Sequence, residues 1–221
     1  MMRWIAIVPM PPRARATGAV YLLYFLTAIL AQFLVGRGLV FYGNAVNIVA
    51  VACYIVVTLL FYGMFKPVNR MLSLLAAFFS LAGCAIMTLD FFHLHSLPVS
   101  PLIFFGPYCL MIGFLIFRSA FLPRILGVLM ALAGLGWLAF LAPALAHPLA
   151  VGIQVLGILA EGSLMLWLVI MGVDVPGWRE QAGQQEHRRL STQRSQLRRS
   201  KEPLAPSANQ LDPLAASEET K

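Results

Sequence analysis

Residues 125–160 read ILGVLMALAGLGWLAFLAPALAHPLAVGIQVLGILA, a run of 36 residues without one Asp, Glu, Lys or Arg. A membrane-spanning helix needs about 20 consecutive apolar residues, because each residue rises 1.5 Å and the hydrocarbon core is about 30 Å thick. The run is therefore long enough for two spans. Pro143, His147 and Pro148 interrupt it near its middle, where proline stops helix propagation, so we expect a hairpin there.

Four further charge-free runs precede this one. Runs of 21, 28 and 19 uncharged residues lie between Arg15 and Arg37, between Arg37 and Lys66, and between Arg70 and Asp90. Residues 91–117 also lack Asp, Glu, Lys and Arg, but their first third is polar and leaves a short span. The sequence predicts an all-α, polytopic transmembrane bundle of six spans, near residues 18–35, 45–65, 71–92, 101–117, 125–146 and 149–172.

The composition agrees with a membrane protein. Of the 221 residues, 60% are hydrophobic and 11% are charged, where a soluble domain has about 25% charged residues. This deficit excludes most classes of soluble enzyme. The three cysteines, Cys53, Cys84 and Cys109, lie in apolar runs without a paired motif, so we predict neither a disulfide framework nor a zinc site.

Lysine and arginine predict the orientation, because cytoplasmic loops are enriched in both. The segments before the first span, between the second and third, between the fourth and fifth, and after the sixth hold 15 of the 16. We therefore expect both termini, including residues 1–17, in the cytoplasm and the bundle in the plasma membrane. No A-x-A cleavage site follows the first span, which we expect to be retained. Trp4 and Trp178 are expected in the headgroup layer at the inner boundary.

The chain turns polar after the last span. Residues 173–221 form a basic cytoplasmic tail that is expected to be mostly disordered beyond a short helical stub. We expect six basic residues to contact anionic lipid headgroups: Arg188, Arg189, Arg194, Arg198, Arg199 and Lys201. The alternative is a tail that serves only topology and solubility. No aromatic residue is interleaved with these cations, so nucleic acid is not an expected partner.

Glu161 is the first candidate for a functional residue within the membrane. It lies 12 residues into the sixth predicted span, close to the midplane, where an acid costs about 2.5 to 3.5 kcal/mol. Gln154 has the helical spacing that puts it on the same face. Tyr54 and Tyr108 are the expected partners of Glu161, with Ser80 behind them. The acid is either a titrating or substrate-contacting group, or a neutral group whose hydrogen bond fixes helix register.

Polar residues also gather at the predicted outer face. The set comprises six residues: Asn44 and Asn47 at the start of the second span, and Asp90, His93, His95 and His147. Asp90 and His93 share a helix face, and with His147 they could supply a carboxylate and imidazole metal set or a pH sensor. The alternative is that these residues only place their polar tips in the headgroup layer, as is ordinary at helix ends.

Three stretches resemble a bacterial membrane-protein family known as domain of unknown function 4386. They are RATGAVYLL at residues 15–23, FRS with LPRILG at residues 117–127, and Glu161 followed by LWLVIMG at residues 166–172. The resemblance covers residues 15–172. In that family the last helix usually carries an acid where Glu161 stands and closes with a Lys-Gly-Phe-like end, which Met171, Gly172 and Val173 replace here. The resemblance implies the architecture and no chemistry.

Three classes of function follow. We predict a non-catalytic membrane scaffold or sensor, with the bilayer and its anionic lipids as partners and without a cofactor. The first alternative is a small-solute or proton-coupled transporter that uses Glu161 at the midplane, which would need a homo-oligomer because six helices without an internal repeat do not form a symmetric pathway. The second is an intramembrane enzyme or metal-binding protein, although no nucleophile and base occur at one depth and we assign no catalytic residue.

Overall fold

Seven α-helices make up most of the computed structural model, which describes residues 14–91 and 101–201, without the side chains of residues 143–146 and 198–201. They are α1 (Ala14–Gly36), α2 (Val40–Phe65), α3 (Arg70–Phe91), α4 (Leu102–Arg118), α5 (Arg124–Leu138), α6 (Pro143–Ile170) and α7 (Val175–Lys201), with a 3-10 turn at Ala139–Leu141. The described ranges contain no strand. The predicted all-α architecture is confirmed.

Six of these helices correspond to the six predicted spans. Five helical stretches are long and apolar enough to cross a membrane, and the sixth, α4, is apolar but has 17 residues. The outward side chains of the helices are apolar too: Leu26 and Ile29 on α1, Phe78 on α3 and Ile170 on α6 are all more than half exposed. A surface of this kind has no stable place in water, so the helices form a membrane protein.

The junction between α5 and α6 lies earlier than the sequence indicated. We expected the fifth span to run to residue 146, but the break falls at Ala142, whose backbone is extended, and Pro143 is the first residue of α6. Proline suits a first helical position because the missing N–H has no partner there and its φ angle is already helical. Pro148 then lies inside α6 and does not end it.

The six apolar helices form a closed ring. Each helix contacts the next one along the chain, and α6 returns to contact α1. The centre of the ring is filled by large buried side chains, among them Tyr21, Tyr54, Phe61 and Tyr108. Because consecutive helices are antiparallel neighbours, alternate loops lie at the same end of the ring.

The helices α4 and α5 pack closely against each other. Four glycines, which we call the glycine seam, let the two backbones touch: Gly106 and Gly113 on α4, and Gly127 and Gly134 on α5. A Cβ atom added at Gly113 would lie 2.7 Å from the Gly127 carbonyl oxygen, and one at Gly127 would lie 2.7 Å from the Gly113 carbonyl oxygen. Small residues allow such close approach between membrane helices.

One end of the ring, which we call the basic end, collects the positively charged loops. The ring of Phe65 in the α2–α3 region lies 5.9 Å from that of Phe121 in the α4–α5 loop, and the Asp174 backbone N–H donates to the Phe121 carbonyl. Arg15 lies against Gly172 at the end of α6. The basic residues at this end therefore include Arg15, Lys66, Arg70, Arg118 and Arg124.

The start of α7 seals the basic end. Asp174 caps the helix, accepting a hydrogen bond at Oδ2 from the Gly177 backbone N–H at 3.2 Å. Trp178 lies at the basic end, but its indole is packed inside the protein: it is 2% exposed, and Nε1 donates to the Met64 carbonyl at 3.0 Å. Its place at the headgroup layer stays a prediction. The last carbonyls of a helix lack partners within that helix, and Trp178 supplies one to α2.

The polar segment after α6 is helical over a much longer stretch than the short stub that we expected. The chain consists of two compact units, Met1–Ala182 and Gly183–Lys221, and the described residues 183–201 of the second unit belong to α7. The reason is that Gln, Arg, Glu, Leu and Lys all have high helix propensity, which composition-based reasoning about disorder does not weigh. Residues 202–221 lie outside the described residues, and the prediction of disorder for them stays a prediction.

Candidate functional site

Glu161 is held by the first helix of the ring. The Tyr21 hydroxyl on α1 donates a hydrogen bond to Glu161 Oε2 on α6 at 2.6 Å. The two helices come this close because Gly18 lies against the α6 backbone, where a Cβ atom would be 2.6 Å from the Val169 nitrogen. The bond therefore spans the contact that closes the ring.

Four tyrosines surround this bond at a similar depth, and we call them the tyrosine belt: Tyr21, Tyr24, Tyr54 and Tyr108. The Tyr54 ring is the centre of the belt. Its centroid lies 4.7 Å from that of Tyr24 and 6.1 Å from those of both Tyr21 and Tyr108, in tilted or edge-to-face arrangements. Such arrangements are the favoured ones for aromatic pairs.

The partners that we expected for Glu161 are close to it but do not bind it. The hydroxyls of Tyr54 and Tyr108 are buried, and neither makes a hydrogen bond of good geometry within the described part of the chain. The same holds for the indole N–H of Trp137 on α5. Tyr54 and Tyr108 thus belong to the belt, whereas the donor to Glu161 comes from α1.

Two other predicted members of this site do not contact Glu161 through a hydrogen bond in the described ranges. The Ser80 hydroxyl is hydrogen-bonded to the Thr58 hydroxyl at 2.7 Å, where it joins α3 to α2, and Thr58 in turn donates to the Tyr54 carbonyl. Gln154 is exposed although it has the helical spacing of Glu161. At that height α6 contacts α5 through Ile153 and Gly136, and this contact leaves the Gln154 side of the helix uncovered.

A cavity of about 160 Å³ adjoins Glu161. Its walls come from all six apolar helices, and five of its residues are aromatic: Tyr24, Phe25, Tyr54, Phe105 and Trp137. The remaining residues are Met87, Leu102, Gly157, Ile158 and Glu161 itself. Glu161 is thus half-buried, with one carboxyl oxygen on Tyr21 and its outer surface toward the cavity.

Towards the basic end the cavity is closed by packed side chains. Phe61, Phe65, Leu164 and Leu168 are at most 1% exposed and fill the ring between Glu161 and the loops of that end. A solute that reached Glu161 would therefore not pass to the basic end without movement of these side chains.

The predicted outer cluster is described only in part. His93 and His95 lie outside the described residues. Asn47 is buried, His147 is exposed, and the Asn44 amide donates to the Phe91 carbonyl at 3.5 Å, next to Asp90. Residues 14–91 and 101–201 contain no group of three or more His, Cys, Asp or Glu side chains that could hold a metal ion. The metal or pH-sensing site stays a prediction.

The basic residues of the tail lie on α7. Arg188, Arg189 and Arg194 are exposed, while the side chains of Arg198, Arg199 and Lys201 are among those left undescribed. Their contact with anionic lipid is likewise a prediction.

Sequence reasoning missed Tyr21, Tyr24 and Trp137 at the site, and Gln181 at the basic end. A signal existed, since Tyr21 and Tyr24 place two hydroxyls in an otherwise apolar run. Gln181 left no such signal: its side chain accepts from the Ala120 N–H and donates to the Arg118 carbonyl, both at 3.3 Å, and so pairs with loop backbone.

Comparisons with known proteins agree with this architecture. Residues 93–172, which include α4, α5 and α6, match the family described as "Domain of unknown function (DUF4386)". An uncharacterized protein of Archaeoglobus fulgidus is 30% identical over 125 residues, which covers 53% of this chain and 76% of that protein. No solved structure matches the chain.

Proposed function

Because this chain belongs to the family described as domain of unknown function 4386, whose description carries no activity, we propose its role from its geometry: a non-catalytic membrane scaffold or sensor with α7 as the interaction element. The single observation that carries this proposal is the attachment of α7 to the basic end. Trp178 and Gln181 connect its first two turns to α2 and to the α4–α5 loop, so the start of α7 is anchored on the loops of the basic end.

The charge distribution supports an orientation with the basic end in the cytoplasm and the bundle in the plasma membrane. Four segments with lysine or arginine lie at that end, and the α1–α2 loop at the other end has one, Arg37. Positively charged loops stay on the cytoplasmic side during insertion. The inner leaflet is anionic, and each basic residue near its surface contributes about 1 kcal/mol of attraction.

Orientation can be tested with two matched substitutions at opposite ends of the ring, Ala120→Cys and Ala142→Cys, both at exposed loop positions. We expect a membrane-impermeant maleimide added to whole cells to label Ala142→Cys and to leave Ala120→Cys unlabelled until the cells are opened. The reverse pattern would disprove the orientation.

The lipid contact of α7 can be measured with a fluorophore on Ser191→Cys, in nanodiscs whose lipids carry a quencher in the headgroup region. We expect quenching with anionic lipid that weakens in neutral lipid and in high salt, because the attraction is electrostatic. Replacing Arg188, Arg189 and Arg194 by glutamine should lower the ratio of bound to free tail about 100-fold. Equal quenching in neutral and anionic nanodiscs would refute the lipid contact.

Transport is the second candidate, and the cavity beside Glu161 favours it. The packed side chains between Glu161 and the basic end argue against it, since they leave no continuous path in this conformation. Proton or solute flux in proteoliposomes that disappears in Glu161→Gln would replace the scaffold proposal by the transport one.

A further inference from the structure

The residues that line the cavity beside Glu161 are typical of a ligand site and not of an empty packing defect. An empty packing defect between membrane helices is apolar throughout, whereas this cavity carries a carboxyl group at its surface. The Tyr21 hydroxyl fixes Oε2 at 2.6 Å, and no other donor among the described residues reaches the carboxyl group. One oxygen is therefore left for a ligand.

The charges and rings around the cavity favour a cation. No lysine or arginine is among the residues that line it, so nothing in its wall would neutralise an ionised Glu161. Five of the other nine lining residues are aromatic, and the faces of aromatic rings attract organic cations through their quadrupoles. A carboxylate combined with aromatic faces is the arrangement that binds ammonium groups.

The size of the cavity limits the ligand. A cavity of about 160 Å³ resembles engineered apolar cavities of about 150 Å³, which hold one molecule of benzene. The lining residues Phe25 on α1 and Ile158 on α6 bring the cavity to the outer surface of the ring, where Ile158 is 61% exposed. A ligand that dissolves in the bilayer therefore has a lateral route between α1 and α6.

We propose that this cavity binds a benzene-sized organic ammonium ion, with its nitrogen against Glu161 and its hydrocarbon part among the aromatic rings. The site goes beyond the scaffold or sensor role and does not depend on the lipid contacts of α7. Through this site the bundle would respond to a small molecule.

Benzylamine is a suitable probe, with benzyl alcohol as the uncharged molecule of similar size. At neutral pH an alkylamine is protonated. We expect equilibrium dialysis against the full chain in nanodiscs to show saturable binding of benzylamine above that of empty nanodiscs, and weaker binding of benzyl alcohol. Glu161→Gln keeps the size of the side chain and an acceptor for Tyr21 but removes the charge, so it should weaken benzylamine binding by about tenfold or more.

A second pair of variants tests the proposal even if Glu161→Gln does not fold. Ile158→Trp places a large side chain at the rim of the cavity, while Leu159→Trp is the matched control, since Leu159 is 59% exposed and does not line it. Benzylamine binding should fall in Ile158→Trp and stay unchanged in Leu159→Trp. Absence of saturable binding, equal affinity for benzyl alcohol, or equal loss in both tryptophan variants would overturn the proposal and leave an apolar or water-filled void.

Discussion

At the scale of single residues, the hydrogen bond between Tyr21 and Glu161 is the contact that defines the site. An acid at this depth is costly unless it has a partner, and Tyr21 is the hydrogen-bond donor that the described chain provides. The neighbouring hydroxyls of Tyr54 and Tyr108 are as deeply buried but make no hydrogen bond of good geometry within the described ranges. The tyrosine belt thus contains one hydroxyl that is bonded to Glu161 and two that make no hydrogen bond of good geometry within the described ranges. The contribution of the hydrogen bond to stability can therefore be measured separately from that of ring packing.

Tyr21→Phe should lower the free energy of unfolding by about 1 to 3 kcal/mol, because it removes the bond and leaves the Glu161 carboxyl without its donor. The measurement is thermal or denaturant unfolding of the purified protein in detergent. Tyr54→Phe is the matched control. It removes a hydroxyl that makes no hydrogen bond of good geometry within residues 14–91 and 101–201, so it should be neutral or stabilising by about 1 kcal/mol. Equal destabilisation by both substitutions would mean that the tyrosines contribute by ring packing alone.

The sequence was sufficient to find Glu161 and insufficient to find Tyr21. An acid in a charge-free run is conspicuous because nothing else in the run has its insertion cost. The choice among several buried tyrosines depends on which helix lies beside α6, and hydropathy carries no information about that neighbour. Gln154 illustrates the same limit, since its helical spacing matches Glu161 while the position of α5 leaves it exposed.

At the scale of elements, the glycine seam distinguishes α4 and α5 from the other helix pairs. In both helices the glycines are seven residues apart, two turns of an α-helix, so each pair lies on one face. Their backbones are in contact, and α4, which has 17 residues, is held in the ring largely by this contact. Van der Waals packing of this kind is a main source of stability between helices in a bilayer.

Gly113→Ala should therefore be destabilising by about 1 to 3 kcal/mol, the usual cost of overpacking, because its Cβ would meet the Gly127 carbonyl and the Ala131 nitrogen. The control is Gly162→Ala in the helix interior of α6, where no atom lies within 4 Å of the added Cβ. There the better helix propensity of alanine should stabilise the protein by up to about 1 kcal/mol. Unfolding midpoints of the two variants decide the matter, and a destabilised Gly162→Ala would count against this explanation.

The bounds of the helices were predictable to a few residues where a charge or a glycine marks the end. Gly38 and Gly172 have φ angles of 80° and 75°, the left-handed region that glycine tolerates, and they follow α1 and α6 closely. The α5–α6 junction was less predictable, because Pro143 and Pro148 are equally strong signals in the sequence. Only one of them can be the first residue of the helix, and in the structure it is Pro143.

At the scale of the whole molecule, the first turns of α7 connect loops of the basic end to one another. The Trp178 indole donates a hydrogen bond to the last turn of α2. The side-chain amide of Gln181 accepts one hydrogen bond from, and donates another to, the backbone at the α4–α5 loop. The residues that follow the last span thus complete the packing of loops that are far away in the sequence. The start of α7 is therefore anchored on the loops of the basic end.

Trp178→Phe should lower the free energy of unfolding by about 1 to 3 kcal/mol, since it keeps an aromatic ring but leaves the buried Met64 carbonyl without its donor. Trp167→Phe is the control, because Trp167 is partly exposed and its indole N–H makes no hydrogen bond within the described ranges. Its effect should stay within about 0.5 kcal/mol. A Trp178→Phe variant as stable as Trp167→Phe would show that α7 does not seal the basic end through this bond.

The sequence by itself predicted a membrane protein, the helical class, the six apolar helices and the acid Glu161 in an otherwise charge-free run. These follow from apolar run length and from the cost of charge in hydrocarbon, both of which are local properties. The tertiary structure decided that α6 returns to α1, that Tyr21 therefore holds Glu161, that a cavity remains beside them, and that Trp178 is buried. Lipid-facing and ring-facing side chains are equally apolar in this protein, so only the packing of the helices shows which face is which.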